Sequence, residues 1–443
     1  VPDAHGDWFN KRDNSFNKFI NIGTRQKNEV SIFYNHIVGV VSSRDAWVYG
    51  SNKKQIELNI NKLINSYNKA LEILKSSNES NFKENLTYAR NAVSNDISWS
   101  AGLLQKLFKK RSIQKYDIKT LREPIYRPFF KQYLYYDTTS LIERPGKWSK
   151  IFVENISSNL VICSSGVDNL VICINQNAKD AGQIALMTNH IADLHFNGDT
   201  QCFPRWLPGE QVKGAEGELD FGKSCEMPSG FSPEALPHFL AAYPGKPMTE
   251  DDLFYYIYGI LHSEDYRTRY ANNLMKELPR IPRVATYEQF MAFVEAGQEL
   301  AKLHVHFEEV KPYADVTIEY TKPGQPSYRV KQMKWDKIKG KTGNAAKDKT
   351  TLIYNDWITV KNIPLEAQEY VVNKKSALDW VVERACVSID KASGIVNDFN
   401  DYATAMGSER YPLDLFLKII TVSLETMKIV RALPKLEIHQ LDK

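Results

Sequence analysis

The 443-residue sequence predicts an α+β fold, in which a mixed sheet and helical segments form two or three subdomains. Several segments repeat apolar residues at every third or fourth position, as the buried face of a helix does. Other segments concentrate aromatic and β-branched residues between glycines and prolines, which is typical of strands. The composition, 43% hydrophobic and 25% charged, is that of a globular protein.

Two capping boxes mark helix starts in the second half of the chain. In a capping box, the side chains of the N-cap residue and of the third helical residue each bond the other's backbone N–H. Thr249 with Asp252 and Thr286 with Gln289 have this spacing. Together with the apolar periodicity, they predict helices over 56–74, around 103–108, and over about 250–278, 287–306 and 412–431.

Strands are predicted on both sides of the central helices. Residues 125–178 include a predicted hairpin of 160–163 with 170–173, turning at Gly166 and Asp168. Seven prolines in residues 204–247 predict a long irregular connection. The remaining predicted strands are 315–321 with 327–335, joined by a turn at 323–326, and a hairpin over 351–361 that turns at 355–356.

Positive charge is unevenly distributed along the chain. Residues 101–150 carry a net charge of +8 and residues 301–350 carry +5, whereas residues 151–300 carry −10. The whole chain carries only +4, so the distribution is more informative than the total. Clustered positive charge is expected of a surface that binds nucleic acid.

The common catalytic motifs are absent from the sequence. Gly340-Lys-Thr matches only the end of a Walker A motif, because Trp335 stands where the first glycine is required. The five cysteines form no Cys-x-x-Cys pair, so we predict reduced cysteines in a cytoplasmic protein. There is no signal peptide and no run of about 18 apolar residues that would span a membrane.

Two pairs of histidines are weak candidates for metal ligands. His304 and His306 lie at the end of a predicted helix, where side chains two residues apart diverge. His190 and His195 lie close to two aspartates, but no recognised ligand spacing relates them. We therefore predict structural roles for all four and no metal site.

The candidate DNA contacts come mainly from the two basic tracts. In the first tract, we expect the aromatic residues to be core and the cations to contact DNA, the alternative being cations that are only solvated. The second tract is interpreted as a glycine-lysine loop between two hairpins, the alternative being a disordered, solvated loop. The candidate contacts are Arg44, Arg127, Lys131, Arg144, Lys147, Arg205, Lys334, Trp335, Lys337, Lys339, Lys341, Lys347 and Lys349.

The two tracts are expected to contact DNA differently. Arg127 lies in a predicted strand, so its guanidinium would be held rigidly enough for a bidentate contact with guanine. A structural salt bridge to Glu123 or Asp137 is the alternative for this arginine. The lysines of the second tract are expected to contact phosphates.

Several ordered motifs resemble the C-terminal specificity region of Type ISP restriction-modification enzymes. One is Leu-Arg-Glu-Pro-Ile-Tyr-Arg-Pro-Phe at 121–129, and another is Phe-Tyr-Tyr-Ile-Tyr-Gly-Ile-Leu-His at 254–262. Taken together the motifs span nearly the whole chain, and their order is specific. The other similar segments are 97–107, 133–137, 185–195, 266–270, 277–282, 390–398 and 420–426.

The resemblance implies a DNA target recognition domain of a longer enzyme. In that family a nuclease, a helicase-like ATPase, a coupler and an adenine-N6 methyltransferase precede the recognition domain. The Pro-Pro-Tyr and Phe-x-Gly-x-Gly motifs of such methyltransferases are absent here. We therefore expect no cofactor in this chain, with S-adenosylmethionine, ATP and Mg²⁺ confined to the other modules.

The resemblance also divides the chain. Residues 1–25 are expected to be the trailing end of the methyltransferase or its join, and 26–247 the N-terminal part of the recognition domain. Residues 248–310 are predicted to be helical, and 311–443 to hold hairpins, the basic loop and C-terminal helices. We predict sequence-specific recognition of double-stranded DNA. The alternative is a docking module that couples methyltransferase to motor without reading bases.

Overall fold

Helices dominate the computed structural model, which describes residues 11–24, 26, 29–77, 81–93, 97–144, 169–175, 182–207, 228–338 and 346–443. The helices of this part of the chain are α1 Asp45–Val48, α2 Lys53–Ser76, α3 Phe82–Asn91, α4 Ala101–Phe108, α5 Ala235–Leu240, α6 Glu250–His262, α7 Glu264–Arg269, α8 Ala271–Leu274, α9 Tyr287–Val305, α10 Ala377–Arg384, α11 Phe399–Ala405 and α12 Tyr411–Ala432. With the small antiparallel sheets they form an α+β fold, as predicted.

The strands are short and pair in several separate antiparallel sheets. They are β1 Ile20–Asn21, β2 Ile37–Val38, β3 Tyr49–Gly50, β4 Leu121–Arg122, β5 Ile125–Arg127, β6 Phe130–Lys131, β7 Tyr133–Tyr135, β8 Val171–Asn175, β9 Ala185–Thr188, β10 Thr200–Pro204, β11 Arg280–Ile281, β12 Thr317–Tyr320, β13 Lys334–Lys337, β14 Lys347–Ile353, β15 Ile358–Lys361, β16 Val371–Val372, β17 Lys375–Ser376, β18 Val387–Ile389 and β19 Val396–Asp398.

A four-stranded sheet, in the order β2-β10-β8-β9, lies between two hydrophobic cores. Successive side chains of a strand point to opposite faces. In β8, Cys173 accordingly belongs to the first core, whereas Ile172 and Ile174 belong to the second. Every residue of β8, β9 and β10 is buried, because both faces of the sheet are covered.

The two cores draw on different parts of the chain. The first combines α2, the sheet β3-β7-β4 and the C-terminal elements from β13 to α12. The second combines residues 16–33 with α5 to α9. Each core therefore includes residues from more than one of the predicted segments, whose boundaries stay predictions.

Helices α6 and α9 approach each other closely through two glycines. A Cβ atom on Gly259 would lie 2.3 Å from the carbonyl oxygen of Phe293. A Cβ atom on Gly297 would lie 2.0 Å from the carbonyl oxygen of Tyr255. Both positions require glycine because real Cβ atoms do not approach other atoms so closely.

The C-terminal sheet has one buried face and one exposed face. Its strands follow the order β12-β15-β14-β13. The inner row across the four strands is Ile318, Val360, Leu352 and Trp335. The outer row, one residue along each strand, is Glu319, Thr359, Ile353 and Lys334. The inner row packs on the first core, where the Trp335 and Phe416 rings lie 6.0 Å apart.

Several predicted elements agree with the structure. The stripe over 56–74 lies in α2, the segment around 103–108 is α4, and the helices predicted over 287–306 and 412–431 are α9 and α12. The hairpin over 351–361 is β14 with β15, as predicted. The capping box of Thr249 and Asp252 begins α6 with both reciprocal bonds.

Other predictions were wrong. The helix predicted over 250–278 is three helices, because the Ser263 side chain caps a new helix by accepting the N–H of Tyr266. The strand predicted over 315–321 pairs with β15 rather than with 327–335. The irregular connection contains α5, while its residues 208–227 lie outside the described part of the chain. Strand β8 pairs with β9 and β10, and residues 160–163 of the predicted hairpin are not among the described residues.

Candidate nucleic-acid interface

The second basic tract forms a hairpin with exposed lysines. Strands β13 and β14 pair from Lys334 opposite Ile353 to Lys337 opposite Lys347, with a shift in register between Trp335 and Asp336. A bond from Ile338 N–H to the Ala346 carbonyl extends the ladder. The described lysines of this tract therefore lie on two paired strands and not, as predicted, in a loop between two hairpins. Lys334, Lys337 and Lys347 are exposed, and none of the described residues binds their ammonium groups.

The end of the hairpin brings like charges together. Lys337 and Lys347 are directly opposite each other, as are Asp336 and Asp348. Like charges at directly opposed positions destabilise a sheet. Successive side chains alternate between the two faces, so the paired lysines share one face and the paired aspartates the other. An anion on the lysine face would relieve the repulsion there.

Two candidate contacts of the second tract, Trp335 and Lys349, attach the hairpin to the rest of the protein. Trp335, one of the candidate contacts, is buried and its indole N–H donates to Asp379 over 2.7 Å, so its side chain is engaged within the protein. The Lys349 ammonium binds the same carboxylate and lies 4.6 Å from the Trp335 ring centre. Burial tends to raise the pKa of Asp379, but Lys349 and Trp335 more than offset it and lower that pKa. Lys349 thus ties the hairpin to α10.

Arg127 does not have the geometry of a base-reading residue. Its side chain is only 9% exposed, and its guanidinium lies 2.6 Å from an Asp193 oxygen and 3.7 Å from an Asp45 oxygen. It also covers the Tyr126 ring at 3.8 Å. Burial would lower the pKa of Arg127, but Asp193, Tyr126 and Asp45 together more than offset it and the pKa is raised. The salt-bridge alternative describes this arginine, although its partners are neither Glu123 nor Asp137.

Asp193 is the centre of this buried network. Besides Arg127, it accepts the Tyr49 hydroxyl at 3.0 Å and the backbone N–H of His195 at 2.8 Å. Burial first, and then Asp193, raise the pKa of Tyr49 well above its usual value. The network joins β3, β5 and the segment after β9, so its role is structural.

Three further candidate contacts, Arg44, Arg205 and Lys131, also bind groups of the protein itself. Arg44 is buried, donates to the Ser42 and Leu141 carbonyls, and has its pKa lowered by burial. Arg205 is buried and binds Asp251 at 2.6 Å and Glu250 at 3.0 Å. The Lys131 ammonium lies 2.7 Å from Glu308, and Lys131 is 11% exposed. Burial tends to raise the pKa of Glu308, but Lys131 lowers it overall.

The remaining candidates are exposed or undescribed. Arg144 is exposed, and its backbone bridges to Val41 at the end of a described segment. Lys147, Lys339 and Lys341 lie outside the described residues.

A second group of exposed cations belongs to the first tract but was not among the named candidate contacts. Lys109, Arg111, Lys115 and Lys119 follow α4 in the first tract, and all four are exposed. The named candidates were instead taken from the aromatic segment after residue 125. Aromatic residues are usually buried, so cations beside them are less often free to bind DNA. The signal that distinguishes this group is a dense run of cations in a segment with few strong strand formers.

The histidines are explained by contacts within the protein. His304 is buried, with its ring nitrogens near the hydroxyls of Tyr258, Thr426 and Tyr370, and His306 lies 2.9 Å from Glu309. The His195 ring lies 4.0 Å from Asp199. Within the described residues, no group of three histidine, cysteine or acidic side chains could hold a metal ion. No described helix is both long enough and apolar enough to cross a membrane.

The chain is similar to three solved structures over 99% of its length. A nuclease-deletion mutant of the Type ISP enzyme LlaGI, in complex with a DNA substrate mimic, has a TM-score of 0.79 and 30% identity. The ATP-dependent Type ISP enzyme LlaBIII bound to DNA has a TM-score of 0.78 and 30% identity. A DrdV–DNA complex has a TM-score of 0.78 and 26% identity. The chain covers 36%, 25% and 40% of these chains, respectively.

Comparison with curated protein sequences gives no match. The family model described as the Type ISP C-terminal specificity domain matches residues 31–415. This match covers most of the chain, and it agrees with the motifs found in the sequence and with the α+β architecture. The chain belongs to the Type ISP C-terminal specificity domain family.

Proposed function

We propose that this chain recognises a DNA target for a single-chain Type ISP restriction-modification enzyme. The observation that carries the proposal is the β13–β14 hairpin, whose exposed lysines have no carboxylate partner among the described residues. The similar enzymes LlaGI, LlaBIII and DrdV were each solved with DNA or a DNA mimic, which supports the same class of partner here.

A two-stranded hairpin has a shape that suits binding to double-stranded DNA. The major groove of B-DNA admits a two-stranded ribbon, and lysine is a common phosphate ligand. The repulsion between Lys337 and Lys347 would fall when a phosphate lies between or above them. Lys339 and Lys341, which follow in the sequence, add positive charge to the same tract. The hairpin lysines are thus proposed to position the protein on the duplex rather than to recognise its base sequence.

The chemistry on DNA is proposed to reside in other modules. This chain covers between 25% and 40% of the similar chains, and its sequence lacks phosphate-loop and methyltransferase motifs. Adenine-N6 methylation and ATP-driven cleavage, with S-adenosylmethionine, ATP and Mg²⁺, would belong to those modules. A methyltransferase must flip its target base out of the helix, and a recognition domain would hold the duplex while it does so. We place this action in the cytoplasm, where the scattered cysteines would stay reduced.

The test is the affinity of the chain for DNA as a function of salt. Wild type and a Lys334→Gln/Lys337→Gln/Lys347→Gln variant are titrated by fluorescence anisotropy against a duplex selected from a random pool and against an unselected duplex. Wild type should prefer the selected duplex, and its log affinity should fall linearly with log salt. The variant should have a slope less steep by roughly 0.9 for each lost phosphate contact.

The control is a Lys302→Gln/Lys391→Gln/Lys435→Gln variant, which removes the same charge from other exposed positions. It should keep the wild-type slope. No binding by wild type at about 50 mM salt, where phosphate contacts are strong, would contradict the proposed function. Equal affinity for selected and unselected duplexes would contradict target recognition.

A further inference from the structure

The end of α4 and the segment that follows it carry a dense group of positive charges. Residues 106–119 contain six lysines and arginines, and Asp117 is the one acidic residue among them. Lys106 binds the Thr139 carbonyl and Lys110 is half-buried. The exposed cations, which we call the basic strip, are Lys109, Arg111, Lys115 and Lys119.

The backbone of the basic strip is fixed although it is largely irregular. The Tyr67 hydroxyl on α2 donates to the carbonyl of Arg111 over 2.6 Å. Two residues later, Ile113 is buried in the first core. At the far end, the Tyr116 ring stacks on the Tyr135 ring at 5.1 Å, and the Tyr135 hydroxyl accepts the backbone N–H of Asp117 at 3.1 Å.

The final turn of the strip is fixed as well. The Asp117 side chain accepts the N–H of Lys119 at 2.9 Å and begins a short 3-10 helix, Ile118–Thr120. The carbonyl of Thr120 then accepts the N–H of Tyr136 at 3.1 Å. A solvated charge run needs none of these contacts, whereas a binding surface benefits from a preformed backbone.

The four cations are available to a ligand. No described residue forms an ion pair or hydrogen bond with the side chains of Lys109, Arg111, Lys115 or Lys119. Arg127 and Lys131, from the same basic tract, are by contrast bound to Asp193 and Glu308. Burial and ion pairing therefore divide the tract into a structural part and a free part.

The chemistry of the strip favours nucleic-acid phosphates over a protein partner. Lysine is depleted in protein–protein interfaces, whose centres are apolar. Phosphates are bound by lysine and arginine side chains presented along a surface. A dense set of unpaired cations also gains affinity by releasing the counterions that surround a duplex.

We propose that the basic strip is a second phosphate-contact surface for duplex DNA, which adds affinity without reading sequence. The inference rests on the proposed function, because it supposes that the chain binds DNA. It assigns this role to residues distinct from the β13–β14 hairpin. The two surfaces together would contact the backbone of the duplex at separate places.

The test compares the 443-residue chain with a Lys109→Gln/Arg111→Gln/Lys115→Gln/Lys119→Gln variant on the selected and unselected duplexes. If each cation contacts one phosphate, the slope of log affinity against log salt should become less steep by about 3 to 4. Between 50 and 200 mM salt, wild type should then lose roughly 100-fold more affinity than the variant. The ratio of affinities for the two duplexes should stay unchanged.

Two controls accompany this variant. Lys302→Gln/Lys311→Gln/Lys391→Gln/Lys435→Gln removes the same charge from exposed positions outside the strip and should keep the wild-type slope. Lys109→Arg/Lys115→Arg/Lys119→Arg keeps the positive charge and should also keep the wild-type slope. Circular dichroism of all variants establishes that they are folded. If the fourfold glutamine variant is not, Lys115→Gln/Lys119→Gln tests the strip, since it should make the slope less steep by about 2.

The outcomes separate the two proposals. If wild type binds no duplex at 50 mM salt, the proposed function and the strip proposal fall together. If wild type binds but the strip variant keeps its slope, only the strip proposal is wrong. If the charge control flattens the slope as much as the strip variant, the effect is one of total charge and the strip is not a site. If the strip variant loses its preference for the selected duplex, the strip reads sequence and the proposal is overturned.

Discussion

Burial gives neighbouring arginines of the same basic tract different roles. Arg127 and Arg144 are 17 residues apart, yet the first is buried against Asp193 and the second is exposed. The sequence showed the cations but could not show this difference, since the carboxylates that bind Arg127 lie 66 and 82 residues away at Asp193 and Asp45. A predicted contact surface based on charge alone therefore includes structural ion pairs.

Replacing Arg127 should cost stability rather than base discrimination. Removing one partner leaves the Asp193 carboxylate buried without its counter-charge, and breaking a buried ion pair costs about 3–5 kcal/mol. Arg127→Ala should lower the free energy of unfolding in denaturant titrations by that order. Arg144→Ala, at an exposed position, should change it by less than about 0.5 kcal/mol. A stable Arg127→Ala protein with relaxed preference at one base pair would restore the base-reading hypothesis.

Two buried histidines should make the fold sensitive to mild acid. Burial first, and then Arg267, lower the pKa of His262 to about 4. Burial first, and then His262, lower the pKa of His304 well below its usual value. An unfolded histidine titrates near a pKa of about 6.5. Below that pH the unfolded chain binds protons that the folded chain excludes, so stability is retained above pH 6.5 and is lost as the pH falls toward 4.

The free energy of unfolding should fall by about 2 kcal/mol between pH 6 and pH 5, since each histidine contributes up to about 1.4 kcal/mol per pH unit. His262→Gln should roughly halve this dependence. The exposed His195→Gln should leave it unchanged. Denaturant titrations at the two pH values measure the effect, and equal stability at both would show that neither histidine is excluded from protonation.

At the scale of elements, helices were predictable where local signals agreed. The capping box of Thr249 and Asp252 identified the start of α6, but the end of α6 at His262 was missed by the sequence prediction. Ser263, followed by Glu264 and Asp265, is a helix-start signal, but it lies within a continuous helical pattern and was included in one long helix. Helix starts were thus easier to predict than a break within an apolar stretch.

Strand pairing was less predictable because it depends on distant residues. The Pro323-Gly324 turn indicated a local hairpin, yet β12 pairs with β15, about forty residues further on. This pairing places Ile318 beside Val360 in the inner row of the sheet. Burial of that row determines the order of the strands. A local turn signal gives no information on which distant strands will be buried side by side. For the same reason, the sequence identified the lysines of the hairpin but not the hairpin itself.

The close packing of α6 on α9 predicts a reversal of the usual effect of alanine in a helix. Replacing glycine by alanine inside a helix ordinarily stabilises by about 1 kcal/mol. At Gly297, however, the new Cβ would lie 2.0 Å from the Tyr255 carbonyl oxygen, so the helices must separate. We expect Gly297→Ala to destabilise by about 1–3 kcal/mol, the range for overpacked cores.

Thermal or denaturant unfolding of Gly297→Ala measures this cost. Gln298→Ala, at the next and exposed position of α9, is the matched control and should be close to neutral. A stabilised Gly297→Ala protein would mean that α6 and α9 do not approach as closely as described.

At the scale of the whole molecule, one sheet contributes to both cores. Cys173 and Leu186 pack in the first core, whereas Ile172 and Met187, each one residue along, pack in the second. Strands β8 and β9 cannot leave one core without exposing side chains of the other. We therefore expect the described part of the chain to unfold as one cooperative unit, although the basic strip and the hairpin lie on the first core alone.

Native-state hydrogen exchange tests this coupling. Slowly exchanging amides in α2, of the first core, and in α9, of the second, should report the same free energy of global opening. Gly297→Ala, which perturbs only the second core directly, should lower both values by the same amount. Gln298→Ala should lower neither. If the amides of α9 lost protection while those of α2 kept theirs, the two cores would be separate folding units, and damage to the helical core would spare the proposed DNA-contact surfaces.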